Sequence, residues 1–566
     1  MSNPSDRFTR FTKNNTVIIE CSLVALIFLV ALLLRLWGMK FGLPYLYHFD
    51  ERFYVNTAGK LGSGVISYGP YAPTGLSNIL FGSYATYFVI GKLLGYFSSA
   101  GEFEALYRSD PTIFYQIGRF ISAFLGALTV IAIFKLGKLT SRLGTGLIAA
   151  GLLATSFLHV RDSHFSVPDV AMTTFVIFSI TLAVLGVQKV KPKYLYLAGV
   201  VGGLAIALKW TALPIVVPLS WACIKIFGMV SRKSFFKLFR KLILTNMFIV
   251  LGFFLGSPQI LINPSPYLEI AFSKYDSTKA VGFEIWQVDT IPGFLFYGKT
   301  LLYGAGFVLL VLGIIGALRR MFLIGKGGDK YSLLLLSFPV VYYLLMGITY
   351  EYFARYALPL VPFLALFAAE TIIGLWDWGE IKEKRWIRRA TTVLFVTALV
   401  LPLIYSIRLD ILFSREDTRT VSKQWIETHI PEGAKIALDF EVHVPMLSTL
   451  EKPAPGDGKI YDVDTMSITG LSDHPLEWYL EEGYDFLIAS SFLYKIPLVN
   501  DNENIARVTF YESLDRDFEL IQEFKPYLGN SEPSFIFDEI YGPIVSLWQR
   551  EQPGPTLKIY QLKGEY

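Results

Sequence analysis

Charge is scarce in this chain. Of 566 residues, 17% are Asp, Glu, Lys or Arg, against about 25% for an ordinary soluble protein. Cysteine is scarcer still. Cys21 and Cys223 both fall inside apolar runs, which excludes a disulfide framework. A net charge of +4 is too small to point to nucleic acid, and no basic run lies outside the loops between apolar segments. Internal repeats and low-complexity tracts are missing as well. The polar, basic start "MSNPSDRFTRFTKNN" is followed by no small-residue cleavage site, so the first apolar run reads as an uncleaved helix and not a signal peptide.

What the chain has in excess is apolar surface, at 53% of residues and gathered in blocks. A spanning helix needs about 20 mostly apolar residues. Runs on that scale lie near 16–38, 115–137, 143–160, 170–187, 194–208, 211–230, 242–262, 300–318, 331–349, 356–375 and 390–407. The sequence therefore predicts a polytopic α-helical membrane protein with about eleven transmembrane helices. Basic residues collect in alternate loops: Arg7, Arg10 and Lys13, then Lys135, Lys138 and Arg142, then Lys189, Lys191 and Lys193, then "SRKSFFKLFRK", "RRMFLIGKGGDK" and "KEKRWIRR". The positive-inside rule assigns that side, and the N-terminus, to the cytoplasm of a plasma-membrane protein. "ILFGSYATYFVIGKLLGYF" (79–97) is apolar enough to pass for a further span. Counting it would put every later basic cluster outside, so it reads as an interfacial or re-entrant helix within a large first outer loop, 39–114.

An odd number of spans leaves the C-terminus outside. "DTRTVSKQWIETHIPEGAKIALDF" reads as an amphipathic helix, a turn and a strand. "HPLEWYLEEGYDFLIASS" repeats that order, and "TLKIYQLKG" reads as a closing strand. Residues 409–566 are expected to form an extracytoplasmic α/β domain after a membrane domain of residues 1–408; about 150 residues can bury a core of their own.

Ionisable residues avoid the middle of the spans. Glu20, Arg119, Lys135, Lys225 and Glu370 all lie near the ends of their runs. An ion-coupled transporter generally places such groups along its path, which weighs against that alternative. The expected outer ends are richer. "YHFDERFYV" holds His48, Asp50, Glu51 and Arg52; "RDSHFSVPD" holds Arg161, Asp162, His164 and Asp169. "ALKWTA" holds Lys209, "EYFARYALPLVP" holds Arg355, and Arg119 opens the second span. Each has a plain alternative, as a solvated loop pair or a snorkelling anchor. Their shared face is what points to a site. His48, His164, Asp50, Glu51 and Asp169 could offer oxygen or nitrogen ligands to a divalent metal, but their spacing has no diagnostic ligand pattern, and no cofactor or metal is assigned.

The order of segments resembles a known family. A first span, an outer Asp-Glu, "RFISAFLGALTV" opening the second span, then "SHFSVPD", "KWTA" and "RYALPLVP" is similar to the GT-C glycosyltransferases. Within these it resembles the protein O-mannosyltransferases and aminoarabinose transferases, the phospholipid carrier-dependent, family-39-like enzymes, over residues 1–408. The first loop departs from the aminoarabinose branch, reading "YGPYAPTGL" where that branch tends to show an acidic-lysine-proline stretch. The C-terminal segment does not match the repeat module of eukaryotic protein mannosyltransferases.

The resemblance implies transfer of a sugar from a polyprenyl- or dolichyl-phosphate donor to a hydroxyl of a protein or glycolipid at the outer membrane face. By the same resemblance, Asp50 is the candidate base with Glu51 in support, and Asp169 is the acid closing the second-loop motif. Arg119, Lys209 and Arg355 match basic positions, the last two associated with the lipid phosphate, and Arg52 and His164 join them as candidate donor-binding residues. Elementary chemistry agrees. Negative charge grows on the bridging oxygen as the anomeric bond breaks, and a cation there stabilises it. The acceptor hydroxyl must lose a proton to a nearby carboxylate. The alternative from another class is a lipid or solute transporter or flippase, which would yield no covalent product.

Overall fold

The protein was analysed as a computed structural model, which describes residues 4–66, 73–228, 232–265, 267–269, 292–327, 329–348, 353–456, 458–499, 505–529, 533 and 545–561. Part of "YGPYAPTGL" (68–72) and the start of "EYFARYALPLVP" (351–352) lie outside the described residues.

Among the described residues, eight helices are long and apolar enough to cross a membrane: Val17–Leu36, Thr112–Thr140, Pro168–Lys189, Trp210–Phe227, Phe236–Gly256, Phe307–Gly325, Ala354–Ile381 and the segment Arg385–His429. Three shorter apolar helices, Leu143–Thr155, Pro192–Leu208 and Ser332–Gly347, accompany them. Each apolar run of the sequence overlaps one of these helices, but 300–318 straddles a break at Gly306 between Gly293–Ala305 and Phe307–Gly325, and 143–160 runs on into Phe157–Asp162; the chain is a multi-pass membrane protein. The helix covering most of the doubtful 79–97 stretch, Gly75–Leu93, is not among those that meet the spanning criteria.

In chain order, α1 is Pro4–Leu36, α2 Glu51–Gly62, α3 Gly75–Leu93, α4 Ala100–Ser109, α5 Thr112–Thr140 and α6 Leu143–Thr155. There follow α7 (Phe157–Asp162), α8 (Pro168–Lys189) and α9 (Pro192–Leu208). Burial divides the helices into a centre and a periphery. The apolar window of α8 is 78% buried, that of Ala354–Ile381 72% and that of α5 61%, against 22% for Phe236–Gly256. A helix that is apolar all round belongs in the middle of a bundle, and α8 is one. On the periphery, α9 and the helix Arg232–Gly256 pack backbone to backbone. A Cβ added to Gly203 would overlap the carbonyl oxygen of Ile249, and one added to Gly252 that of Val200. Small residues permit this close approach where lipid offers no hydrophobic drive to associate.

The helix Arg385–Phe413 carries the chain past residue 409, and Thr418–His429 follows at once. Beyond lies a five-stranded sheet in the order β2-β1-β3-β5-β4. Its strands are β1 (Lys435–Leu438), β2 (Asp462–Thr465), β3 (Phe486–Ser490), β4 (Glu519–Phe524) and β5 (Leu557–Gln561). β1 pairs in parallel with β2 and β3, whereas β5 runs antiparallel to β3 and β4. Alternate residues serve opposite faces, as a period of two requires. Ile436, Leu438, Phe486, Ile488, Leu557 and Ile559 pack with Ile426 and Ile430, while Ala437, Leu487, Ala489 and Tyr560 pack with Tyr479, Phe510 and Leu514. Both expected helix-then-strand units and the closing strand are present; β2 and β4 had not been foreseen.

A separate apolar cluster joins the two parts. Phe41, Phe157, Phe165, Val167, Leu409, Leu412, Phe413 and Leu547 are all buried together. The two segments that carry the candidate acids are thereby packed against the helix leading into the sheet.

Candidate functional site

The three most buried helices each present a charged residue near one end. Arg119 lies in the second turn of α5, Asp169 in the first turn of α8, and Arg355 in the 3-10 segment Ala354–Leu360 that begins the span Ala354–Ile381. Local sequence explains the geometry. Pro168 at the start of α8 forces Val167 into extended backbone (φ −124°, ψ 156°), so the helix begins sharply. Asp169 then stands in the first turn, where the positive end of the helix dipole favours a carboxylate. Lys209 follows α9 in extended backbone (φ −159°), and a 3-10 segment, Trp210–Ile215, turns the chain back.

These breaks bring four charges from four distant segments into one array. The Asp50 carboxylate accepts a hydrogen bond from Arg355 Nη1 at 2.6 Å. Arg355 Nε lies 3.9 Å from Asp169 Oδ2. Asp169 Oδ1 accepts from Lys209 Nζ at 2.6 Å. Aromatic rings hold the cations. Lys209 Nζ stands 3.9 Å from the Tyr356 ring centroid, and the Arg355 guanidinium 4.5 Å from that of Phe353. Asp169 is almost fully buried, whereas the side chains of Arg355 and Lys209 retain 11% and 18% of their exposure. The two cations thus keep more exposure than the acid they share.

Glu51 behaves differently from its neighbour. It is fully buried, and accepts Arg119 Nε at 2.8 Å, Arg119 Nη2 at 2.6 Å and the backbone N–H of Ser166 at 2.7 Å. Arg119 Nη1 donates to the carbonyls of Met39 (2.9 Å) and Phe41 (2.6 Å). The forked pair therefore ties the first loop, α2, α5 and the second loop together. Burial alone would lift the Glu51 carboxyl; the Arg119 charge and its hydrogen bonds, with that of Ser166, hold it below the ordinary value. Asp50, at the N-cap position of α2, makes no side-chain capping bond and turns to Arg355 instead.

The remaining candidates go elsewhere. Arg52 pairs with Glu441 and stacks on Phe49 and Phe53. His164 is buried, with Nε2 2.8 Å from the Trp37 carbonyl oxygen and 3.3 Å from Asp410 Oδ1, and Nδ1 2.9 Å from the Val160 carbonyl oxygen. These contacts tie the second loop to the end of α1 and to the helix Arg385–Phe413. His48 lies with its ring centroid 4.3 Å from that of Phe165, and burial pushes its imidazole down to about 3, so it is neutral at ordinary pH. Tyr356 and Phe353 were not singled out from the sequence, although both flank Arg355. Among the described residues, no three of His, Cys, Asp or Glu gather as a metal-ligand set. Asp50 and Asp169 are instead each matched by a cationic side chain, which does not suit a divalent ion.

Residues 116–261 match the family model described as dolichyl-phosphate-mannose-protein mannosyltransferase. That stretch includes Arg119, His164, Asp169 and Lys209 but neither Asp50 nor Arg355. A search of curated proteins found no match. Among solved structures, the chain is similar to the Archaeoglobus fulgidus oligosaccharyltransferase tethered to an acceptor peptide containing the NVT sequon. The two are 12% identical with a TM-score of 0.52, over 88% of this chain and 72% of that one. The same enzyme in complex with Zn and sulfate is 13% identical with a TM-score of 0.50, over 87% and 71%. ArnT from Cupriavidus metallidurans, bound to undecaprenyl phosphate, is 13% identical with a TM-score of 0.42, over 73% and 72%. The chain is a multi-pass membrane protein, and over most of its length it has the fold of the archaeal oligosaccharyltransferase.

Proposed function

We propose that this chain is a glycosyltransferase that moves a hexosyl or pentosyl group from a polyprenyl-phosphate-type lipid to a hydroxyl of a protein or glycolipid. The site faces the extracytoplasmic side, with the N-terminus in the cytoplasm and the sheet outside. One observation carries this: Asp50 and Asp169, at the starts of two helices far apart in the chain, share Arg355, with Lys209 beside them. A base and two cations within one array is the equipment that glycosyl transfer from a lipid phosphate requires. The description of the matched family model agrees with it.

In the proposed reaction the lipid phosphate lies against Lys209 and Arg355. As the bond from the anomeric carbon to the phosphate oxygen breaks, both electrons stay on that oxygen, and the cations stabilise the added charge. The acceptor oxygen attacks the opposite face of the sugar while Asp50 takes its proton. A single displacement inverts the anomeric centre and needs no covalent intermediate. Asp169 keeps the two cations apart and oriented. A transporter would need no base and would form no glycosidic bond.

Mass spectrometry of surface proteins and glycolipids from cells with and without this chain tests the reaction class. A glycan present only with the chain is expected; identical profiles would overturn the proposal. Lys209→Met is expected to raise KM for the lipid donor about tenfold or more, since a hydrogen bond to a charged group contributes about 1.5–3 kcal/mol. An unchanged donor KM in steady-state assays would remove Lys209 from the phosphate. A tag at the C-terminus is expected to label from the extracytoplasmic side, and cytoplasmic labelling would mean that the number of spans is even.

A further inference from the structure

We propose that the sheet-bearing unit after the last long helix is a positioning part of the site: its Arg419 and Glu441 hold the loop that carries Asp50. The inference rests on the reading of Asp50 as the base, and concerns what keeps that base in place.

Three residues that bracket Asp50 meet this unit. The Arg419 guanidinium lies 3.9 Å from the ring centroid of Tyr47, and both residues are buried. Arg419 cannot readily swing away. Its Nε and Nη2 each donate to an Asp417 carboxylate oxygen at 2.7 Å, and Nη1 donates to the Val442 carbonyl at 2.6 Å. Tyr47 is further tied through its hydroxyl to Thr420 Oγ1 at 3.1 Å. Phe49 packs against Phe440, with ring centroids 5.4 Å apart, and Arg52 pairs with Glu441. Between these contacts, Asp50 and Glu51 turn inward to Arg355 and Arg119.

The acidic loop is therefore gripped from two sides. Arg119 holds it to the membrane helices through Glu51, and Arg419 with Glu441 holds it to the sheet unit. Phe49, immediately before Asp50, and Arg52, two residues after it, are both committed to contacts with that unit. A displacement of about 1 Å in a reacting group can lower a rate about a hundredfold. The expected signature of a lost grip is a fall in kcat, because the donor's phosphate is bound by other residues.

Arg52 and Glu441 offer the cleanest test, because their side chains are 22% and 44% exposed and such a pair contributes little to stability. Glu441→Arg and Arg52→Glu are each expected to lower kcat about tenfold or more. Donor KM should stay within about threefold, and hydrogen exchange over residues 47–55 should quicken. The double exchange, Arg52→Glu with Glu441→Arg, should restore both kcat and exchange protection, since coupling between contacting residues is what a double-mutant cycle isolates. Arg419→Lys, which keeps the charge but loses the planar fork, should show the same split of kcat from KM. Should a charge-reversed single variant fail to accumulate, Arg52→Gln and Glu441→Gln read the same cycle without placing like charges together. Unchanged kcat in the single variants, or a double exchange that restores neither rate nor protection, overturns the proposal. An active Asp50→Asn variant would instead overturn the assignment of the base, while leaving the exchange results to stand for the grip.

Discussion

Asp50→Asn is expected to lower kcat by about a hundred- to ten-thousand-fold, the usual contribution of a general base. Yield, membrane insertion and unfolding temperature should be retained. The substitution is nearly isosteric, and the amide oxygen can still accept the hydrogen bond that Arg355 Nη1 now donates to the carboxylate at 2.6 Å. What is lost is a group able to take a proton. Asp50 makes no capping bond to α2, so the helix loses nothing by the change. The measurement is single-turnover transfer by purified protein, with thermal unfolding as the control. Residual transfer within about threefold of the parent, in an enzyme whose base should be worth at least a hundredfold, would remove Asp50 from the role.

Glu51→Gln, one residue later, is expected to fail differently. It leaves the Arg119 guanidinium buried without its counter-charge, and removing one partner of a buried pair costs about 3–5 kcal/mol. That is a large share of the roughly 5–15 kcal/mol by which a folded protein is held. The pair also anchors four segments through Met39, Phe41 and Ser166, so its loss should loosen the first loop as a whole. The expected result is poor yield, and a much lowered unfolding temperature in detergent for what is recovered. Acidification should imitate the change. The Glu51 carboxyl is held below its ordinary value, so the stability it contributes is complete above that ordinary value and is lost as pH falls through the depressed one. A Glu51→Gln protein that unfolds like the parent but has lost transfer would reverse the division of labour between these adjacent acids.

That division could not be read from "DER" alone. In sequence, Asp50 and Glu51 are two carboxylates at the mouth of a loop, and either could serve as a base. The N-terminus of α2 decides the matter by geometry, because successive residues of a helix point about 100° apart. One carboxylate is carried toward Arg355 and the other toward Arg119. His164 and Arg52 show the same limit. Both stand among charged residues of the motifs, yet the structure turns His164 to Trp37 and Asp410 and Arg52 to Glu441.

The helical plan was more legible. Apolar runs of bilayer length need no distant partner to be recognised, because each buries its own backbone hydrogen bonds and answers only to its own composition. The short helices Leu143–Thr155 and Pro192–Leu208 were found on the same ground. In the C-terminal part, helix-then-strand patterns revealed β1, β3 and β5. β2 and β4 escaped because Asp462–Thr465 and Glu519–Phe524 alternate weakly and are largely exposed or half-buried. Sequence also gathered Asp50, Asp169, Lys209 and Arg355 at one expected face, since positive-charge bias in the loops orients every span between them.

Composition and periodicity by themselves thus determined that this is a helical membrane protein and where its apolar helices lie along the chain, and they gathered its mixed charges at one expected face. These properties are local, or sum over loops without reference to contacts. Only the tertiary structure decided which charges meet, because an ion pair between Asp50 and Arg355 joins residues 305 positions apart. It takes the packing of α5, α8 and Ala354–Ile381 against one another to bring such partners within 3 Å, and nothing in either segment alone encodes that distance.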